Sequence, residues 1–544
     1  MPTTDARRPS GNAPWPQVAV VLVACVVGVA CRFALLDRKL YWNDEVWTSI
    51  WISGHTVGEM ERELASQGPL TAEELLRFQR TTPGLGIGRT VAALAWDDPK
   101  FPPLYFALAR VWAGAVGDSP ARIRALSAVC GTLVIAAFAA LCLELFGRRA
   151  AWIGAALMAV SPFHAVYAQE ARPYSLLTLL TLLAGVTLLR ALPRPTAVRW
   201  SIYGITVALG LYTHALFIVV VAGHAAFVAW RTRSREPGSL GWPPRLPSAF
   251  VVTVLLAAAS LLPWVVAGLS RLVEMRGNIG WVFRHAGYRE VLERWFFALT
   301  YPFADLLPPA APGVGREPWA TAAVAVSAVA LLLAAYALHL VARRGSESAR
   351  AFLVTTVAPA AAVLMLPDLL LGGRALSQPR YLIPVLLGLQ LAVVHLLATV
   401  SAAGSRAHRR AWTGIALLLV AVGALSCLAG VRSEVCWNKY QPIDIVRAAK
   451  LVHAAPRPLV LGAASGLELR RVLSLAHRLD DGAGVLLLDG AIERSRLADF
   501  DEILWFNPEP SAVAAAAESG LRFRPFDARA DLWRLTLAPR PPNE

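Results

Sequence analysis

The stretch WSIYGITVALGLYTHALFIVVVAGHAAFVAW, from Trp200 to Trp230, decides how this chain is arranged in a membrane. It is about half as long again as the roughly 20 residues that one helix needs to cross about 30 Å of hydrocarbon. The polar residues Tyr212, Thr213 and His214 lie near its middle. The stretch therefore forms either one overlong helix or a hairpin of two short helices that turns at these three residues.

The positions of the arginines favour the hairpin. Basic linkers such as GRR at 147–149, RTRSR at 231–235 and SRAHRR at 405–410 separate the apolar runs. Cytoplasmic loops of membrane proteins are enriched in lysine and arginine. All the linkers can be cytoplasmic only if Trp200–Trp230 crosses twice and if the short segment 104–117 stays at the outer surface without crossing. A single long helix would place three arginines on the opposite side.

The composition agrees with many crossings. The chain has 544 residues, of which 56% are hydrophobic and only 16% charged, and its mean hydropathy is +0.50. These values exclude an ordinary soluble enzyme. The net charge of +15 is explained by linkers that orient the chain and contact anionic lipid. No basic segment is interleaved with aromatic residues, so nucleic acid is not an expected partner.

The apolar runs predict eleven spans and three domains. Residues 1–16 form a cytoplasmic N-terminus, residues 17–430 a membrane module, and residues 431–544 an extracytoplasmic domain. The module carries two long outer loops, 36–124 and 270–318. We interpret the first run as an uncleaved span, because no small-residue cleavage site follows it. The runs are 17–35, 125–146, 151–168, 173–192, the two halves of Trp200–Trp230, 249–269, 319–342, 351–371, 381–400 and 411–430.

The C-terminal residues 431–544 read as a small α/β domain. Helical patterns such as LELRRVLSLAHRL and IERSRLADF alternate with apolar segments such as PLVLGA, GVLLLD and EILWF. This alternation is typical of parallel strands joined by helices. The domain has no GxGxxG motif and no P-loop, so we interpret it as a docking or acceptor-side module. The six cysteines show no pairing or metal-ligand spacing and are expected to be small core residues.

In this topology many polar residues converge on the outer membrane face, where they are costly unless they pair or serve a site. Each also has an ordinary structural explanation, such as headgroup anchoring, a core histidine, helix-end solvation, or an ion pair between Glu170 and Arg172. Their joint clustering is what favours a site. The residues are Asp44, Glu45, Gln169, Glu170, Arg172, Tyr174, Tyr212, Thr213, His214, Arg374, Gln378, Arg380 and Tyr381.

Carboxylates and cations beside a lipid-accessible groove suit the transfer of a sugar from a polyprenyl phosphate. The departing phosphate is stable as an anion, so it needs cations or hydrogen-bond donors rather than a general acid. A hydroxyl acceptor is a poor nucleophile, so a carboxylate must take its proton. A single displacement of this kind inverts the anomeric centre.

Several motifs resemble those of the polyprenyl-phosphate-dependent glycosyltransferases of the GT-C fold, particularly the bacterial family related to protein O-mannosyltransferases and to the lipid A aminoarabinose transferase. The resemblance covers residues 17–235 well and 351–430 weakly. Relatives often carry a histidine where this chain has Phe101. The matching motifs are NDE at 43–45, FPPLYFALARVWAGAVGDSPARIRALSAVCG, LFGRRAAWIGAALMAVSPFHAVYAQEARPYSLL, LGLYTHALFIV and QPRYLIPVL.

The resemblance implies an all-α polytopic membrane protein of the GT-C fold with about eleven spans and a small C-terminal extracytoplasmic α/β domain. It implies transfer of a hexosyl or pentosyl group from a polyprenyl-phosphate donor to a glycan, lipid or protein acceptor at the outer face of the plasma (inner) membrane. The implied catalytic residues are Asp44, as base, and its neighbour Glu45. The implied donor-binding residues are Glu170, Arg172, Tyr174, His214, Arg380 and Tyr381.

We expect no cofactor and no obligatory metal, although some relatives with this fold use a divalent ion. Two other classes of function stay open. A secondary transporter would show internal repeats and ionisable residues near the bilayer midplane, and neither is visible in this sequence. The second alternative lies within the same fold and is either a ligase that joins lipid-linked glycans or a relative that has lost catalysis and only binds polyprenyl lipid.

Overall fold

The computed structural model describes residues 15–233, 246–271, 287–306, 318–371, 378–436, 442–490 and 492–536. Of the predicted polar residues, Arg374 lies outside these ranges, as does most of the predicted outer loop 270–318. Each predicted apolar run contains one or two helices in the described residues. The helices before residue 436 are α1 (Trp15–Phe33), α2 (Asn43–Ser53), α3 (Val57–Ala65), α4 (Ala72–Leu76), α5 (Ile87–Asp97), α6 (Leu104–Val116), α7 (Pro120–Phe146), α8 (Arg148–Ala159), α9 (Pro162–Ala168), α10 (Tyr174–Ala191), α11 (Ala197–Leu211), α12 (Phe217–Arg233), α13 (Leu246–Ser260), α14 (Leu262–Ser270), α15 (Tyr288–Thr300), α16 (Pro318–Arg344), α17 (Glu347–Leu371), α18 (Ile383–Val400) and α19 (Arg406–Arg432).

The chain is a multi-pass membrane protein. Within the described ranges six helices are long and apolar enough to cross a membrane, or eight if each of two bent pairs is one span. The pairs α8–α9 and α13–α14 bend by 57° and 47°. Both bends lie where the second helix has a proline as its first or second residue, Pro162 or Pro263, and proline has no N–H to continue the hydrogen bonds of the first helix. The count of eleven crossings stays a prediction.

The stretch Trp200–Trp230 folds as the predicted hairpin. Helix α11 ends at Leu211 and α12 begins at Phe217. Gly210 permits the tight turn, because a Cβ there would lie 2.3 Å from the Phe217 ring. The Tyr212 carbonyl accepts a hydrogen bond from the Leu104 N–H at 2.9 Å. The tip of the hairpin is therefore fixed to the start of α6.

The first outer loop is a helical layer formed by α2 to α6. The predicted capping box at Thr71 and Glu74 is confirmed, since the Thr71 N–H donates to Glu74 Oε2 at 2.8 Å and the Glu74 N–H donates to Thr71 Oγ1 at 3.3 Å. A second capping box, formed by Thr56 and Glu59, begins α3. These caps set the ends of short helices that packing alone would not fix.

The C-terminal domain is the predicted α/β unit. Its strands run in the order β2-β1-β3-β5-β4, with β1 parallel to both β2 and β3 and the β4–β5 hairpin antiparallel. The sequence predicted the three parallel strands but not this hairpin, and IERSRLADF forms a short 3-10 turn at Arg494–Leu497 instead of a longer helix. The elements are α20 (Pro442–His453), β1 (Pro458–Ala463), α21 (Gly466–Ala476), β2 (Gly484–Leu488), β3 (Glu502–Phe506), α22 (Pro510–Glu518), β4 (Arg522–Asp527) and β5 (Leu532–Thr536).

The C-terminal domain is docked on the first outer loop. Leu70 pairs with Val485 at the open edge of β2 through two backbone hydrogen bonds of 2.8 and 2.7 Å. The Gly466 N–H, at the start of α21, donates to Glu61 Oε1 at 3.0 Å. The loop thus covers the sheet edge and also places a carboxylate at the positive end of a helix.

Candidate active site

Asp44 and Glu45 lie in the first turn of α2, where the helix dipole stabilises negative charge. Their surroundings differ. The Glu45 side chain is 1% exposed, whereas the Asp44 side chain is 24% exposed. Successive residues of a helix point about 100° apart, so one carboxylate enters the protein interior and the other faces a partly open space.

Glu45 is held in a complete set of hydrogen bonds. Arg124 donates to it twice, from Nε to Oε1 at 2.7 Å and from Nη2 to Oε2 at 2.6 Å. The Ala171 N–H donates to Oε1 at 2.7 Å. Arg124 donates its remaining N–H groups to backbone carbonyls in the linker 36–40. This buried, bidentate pair joins α2, α7 and the turn before α10.

Arg172 approaches the same helix from the turn between α9 and α10. Its guanidinium is buried, and Nη1 donates to the Asp44 carbonyl at 3.2 Å and to Thr48 Oγ1 at 3.1 Å. The centroid of the Phe101 ring lies 4.5 Å from the guanidinium carbon. The Arg172 Nε is buried without a hydrogen-bond partner in the described ranges.

Arg380 is a second buried cation, and it contacts the Asp44 side chain. Its Nη2 lies 3.6 Å from Asp44 Oδ2. Its Nε and Nη1 are buried and find no hydrogen-bond partner among the described residues. The guanidinium faces the rings of Trp42, Tyr174 and Tyr381 at 5.4–5.5 Å. Leaving such donors unsatisfied is costly, and an anion between the two arginines would supply the missing acceptors.

His214, at the tip of the hairpin, completes the cluster as a neutral donor. Its ring lies 5.9 Å from Tyr174, 6.3 Å from Tyr381 and 6.4 Å from Phe101. Burial and, to a smaller extent, the positive charges of Arg172 and Arg380 together lower the pKa of His214 to about 3. Nδ1 accepts the Leu216 N–H at 3.1 Å. The proton of the neutral ring therefore lies on Nε2, which is buried and has no partner in the described part of the chain.

The other predicted polar residues are arranged around this cluster. Glu170 lines a cavity beside the Glu45–Arg124 pair, together with Lys39 and Gln169. Lys39 Nζ donates to Gln169 Oε1 at 2.5 Å. These contacts hold the turn before α10 against the linker 36–40. Thr213 donates to the Leu209 carbonyl in the last turn of α11, and Tyr212 donates to the Ser260 carbonyl at the end of α13, so the tip of the hairpin is also tied to α13.

Sequence reasoning missed three charged residues near the cluster. Lys100 Nζ lies 2.8 Å from Asp98 Oδ2 and 5.1 Å from the Phe101 ring. Burial raises the pKa of Asp98, and Lys100 opposes this shift. Arg124 is the third. A signal existed for each, because DDPK precedes the FPPLY motif and Arg124 stands at the start of a predicted span, where a charge is costly.

Among the described residues no group of three or more His, Cys, Asp or Glu side chains is placed to hold a metal ion. The expectation of no obligatory metal stays a prediction.

Comparison with known proteins identifies the fold. The chain is similar to ArnT from Cupriavidus metallidurans, whose crystal structure contains undecaprenyl phosphate, with 14% identity over 96% of this chain and 98% of that one and a TM-score of 0.51. The fold is GT-C. Residues 100–264 match the family model for dolichyl-phosphate-mannose-protein mannosyltransferase, a segment that includes Phe101, Arg172 and His214. The sequence-based prediction of the GT-C fold is confirmed.

A second solved structure has a lower similarity. The archaeal oligosaccharyltransferase AglB from Archaeoglobus fulgidus, in complex with an inhibitory peptide and a dolichol-phosphate, shares 13% identity over 90% of this chain and 69% of that chain, with a TM-score of 0.45. No curated protein sequence matches the chain.

Proposed function

We propose that this GT-C protein is a membrane glycosyltransferase that moves a sugar from a polyprenyl phosphate to an acceptor with inversion. One observation carries the proposal. The partly exposed Asp44 carboxylate lies 3.6 Å from the buried Arg380 guanidinium, two of whose nitrogens have no hydrogen-bond partner among the described residues. A base and an incomplete anion site side by side are what this transfer requires.

In this proposal Arg380 and Arg172 hold the donor phosphate. As the bond to the anomeric carbon breaks, negative charge grows on the phosphate, and buried donors fixed in advance stabilise it. The Tyr174 hydroxyl is also buried without a partner in the described residues, and His214 supplies a neutral Nε2–H. The undecaprenyl phosphate in the ArnT crystal structure supports a lipid-linked donor.

Asp44 is proposed as the general base. It removes the proton from the acceptor hydroxyl while that oxygen attacks the anomeric carbon on the face opposite the phosphate. Glu45, which is bonded on both oxygens, is proposed to fix the first turn of α2 without touching substrate.

The proposal includes the side of the membrane and the sugar class. The positive-inside rule supports a cytoplasmic N-terminus and an extracytoplasmic C-terminal domain in a plasma (inner) membrane. The transferred group is proposed to be a hexose or a pentose, and the acceptor a glycan, lipid or protein. Reporter fusions after Arg149, Arg199 and Arg350 are expected to be cytoplasmic, and a fusion at the C-terminus is expected to be exported. A cytoplasmic C-terminus would contradict this arrangement.

The test is a donor screen with the purified full chain. Labelled undecaprenyl-phosphate sugars, hexosyl and pentosyl, are incubated with the protein, and transfer or hydrolysis of the sugar is measured beside an Asp44→Asn control. Cleavage that depends on Asp44 supports the transferase. Movement of intact lipid across liposomes without cleavage would support a transporter instead, and binding alone would indicate a protein that has no catalytic role.

A further inference from the structure

Helix α21 of the C-terminal domain lies along α2, the helix that carries Asp44. The partners on the two segments run in opposite directions, so the two helices are antiparallel. The Arg470 guanidinium carbon lies 4.5 Å from the Trp47 ring, Ser474 Oγ lies 3.4 Å from Asn43 Oδ1, and the His477 ring lies 4.8 Å from the Tyr41 ring. The C-terminal domain therefore forms one wall beside the proposed base.

Arg470 and its neighbour Arg471 have different environments. Arg471 pairs with Asp444 and Glu468 inside the C-terminal domain, so it stabilises that domain. Arg470 points away from the domain toward Trp47, and its Nε is buried with no hydrogen-bond partner in the described ranges. Burial lowers the pKa of the Arg470 guanidinium, and the nearby carboxylates of Asp44 and Asp98 oppose this shift. Arg470 is thus a partly buried cation close to Asp44, and its Nε lacks an acceptor among the described residues.

The position of Arg470 differs from that of the other two arginines. On α2, Trp47 and Thr48 are the neighbours three and four residues after Asp44. Arg172 contacts Thr48, whereas Arg470 contacts Trp47. Asp44 therefore lies between Arg172 and Arg380 on one side and Arg470 on the other. If Arg172 and Arg380 hold the leaving phosphate, the side of Arg470 is where the attacking molecule enters, because a single displacement places nucleophile and leaving group on opposite faces of the sugar.

We propose that Arg470 binds an anionic group, a phosphate or a carboxylate, on the acceptor, so that the C-terminal domain selects which acceptor reaches Asp44. This inference rests on the proposed function. An anionic group on the acceptor supplies both a hydrogen-bond acceptor for the buried Nε–H and a counter-charge, whereas a neutral acceptor supplies no counter-charge. A site built in this way discriminates strongly against a molecule that lacks the charged group.

The test measures binding with three matched probes: octyl glucoside, octyl glucoside 6-phosphate and octyl glucuronide. The full chain is held in nanodiscs with saturating undecaprenyl phosphate, so that the donor site is occupied. Wild type is expected to bind at least one anionic probe roughly 10–100-fold more tightly than the neutral one, which is the scale of a charge-assisted hydrogen bond. Comparison of phosphate with glucuronide tells which anion is preferred.

Arg470→Met is the decisive variant, because methionine still covers Trp47 but carries no charge. It should lose the preference for the anionic probes and bind the neutral probe as wild type does. Arg470→Lys should keep part of the preference, and it replaces the methionine variant if that protein does not fold. Arg524→Met is the matched control, since Arg524 is an exposed arginine on β4 of the same domain, and it should behave as wild type.

The result that would overturn the inference is an equal affinity of wild type for all three probes, or an anionic preference that survives in Arg470→Met. Cleavage of labelled donor without acceptor is measured in parallel. If the wild-type protein cleaves no donor but shows Arg470-dependent anion binding, the result contradicts the proposed function and leaves the role of Arg470 in binding intact. A protein that cleaves donor but shows no such dependence would sink only the role of Arg470.

Discussion

Two buried arginines beside adjacent carboxylates differ in how completely they are satisfied. Arg124 has five N–H groups, and all five donate, two to Glu45 and three to backbone carbonyls. Arg380 Nη2 lies 3.6 Å from Asp44 Oδ2, while the Arg380 Nε and Nη1 have no hydrogen-bond partner among the described residues. The first pair leaves no donor for a ligand. The second pair leaves N–H groups of Arg380 that can bind a ligand.

The difference indicates a structural role for Glu45 and a chemical role for Asp44, the residue before it. A buried ion pair that is saturated resists any loss of a partner, because the remaining charge is stranded. An incomplete pair is tolerated only if something else, such as a substrate, completes it during function. Mutations at the two pairs should therefore fail in different ways.

The largest expected effect is on turnover at Asp44. Asp44→Asn keeps the shape of the side chain but cannot take the acceptor proton, so the transfer rate should fall by about 10²–10⁴. Affinity for undecaprenyl phosphate and the melting temperature should stay near those of wild type. Near wild-type turnover in this variant would remove Asp44 as base, and Glu170 would be the next candidate.

At Glu45 the expected loss is in stability. Glu45→Gln leaves the Arg124 guanidinium buried without its counter-charge, which costs roughly 3–5 kcal/mol of unfolding free energy. Folded yield from membranes and thermal unfolding in detergent would show it. A stable Glu45→Gln protein that binds donor yet transfers no sugar would reverse the roles assigned to the two acids.

At Arg380 the expected loss is in donor affinity. Arg380→Ala removes charge-assisted contacts worth about 1.5–3 kcal/mol, so undecaprenyl phosphate should bind roughly 10–100-fold more weakly. Arg380→Lys should keep only part of the affinity for undecaprenyl phosphate, since lysine lacks the planar guanidinium that can donate two parallel hydrogen bonds. The melting temperature should not fall as it does for Glu45→Gln. An unchanged affinity would show that the free donors serve another anion.

The smallest effect concerns pH and the docked domain. Burial lowers the pKa of His477 to about 3, while an unfolded histidine titrates near 6.5. The docked state is thus fully favoured above about pH 6.5 and is progressively weakened as pH falls toward the folded pKa. Protease nicking of the full chain should accelerate between pH 6.5 and 4.5. His477→Gln should be less sensitive to pH, and an equal sensitivity in both proteins would assign the effect to other groups.

The sequence predicted the structural features that are set by residues close together in the chain, and it missed one that depends on tertiary contacts. The turn at Tyr212–His214 followed from the length of one apolar stretch and the placement of arginines, and the capping box at Thr71 followed from residues three apart. The strands β1, β2 and β3 were visible as apolar segments. The β4–β5 hairpin was not, because only one of the six residues in RFRPFD, Phe523, is a buried apolar residue and its pairing depends on tertiary contacts.

The same distinction holds for the residues of the candidate site. Arg172, Tyr174, His214 and Arg380 could be proposed as site residues from the sequence because polar residues at a membrane face are costly. Glu45 could not be separated from Asp44, since its role depends on a partner 79 residues away along the chain. Arg470 was missed because nothing in the composition of α21 distinguishes it from Arg471. Only the docking of the domain does.

The contact between Glu61 and Gly466 joins residues 405 positions apart, and it sets an order of events during synthesis. At about 5–20 residues per second, roughly 20–80 seconds separate the emergence of the two partners from the ribosome. Throughout that interval the face of α2 that carries Trp47 and the backbone at Leu70 lack the α/β domain that covers them in the folded protein. A newly made chain is therefore vulnerable to wrong association at this surface until its last hundred residues arrive, which makes the outer loop a natural place for a chaperone to act.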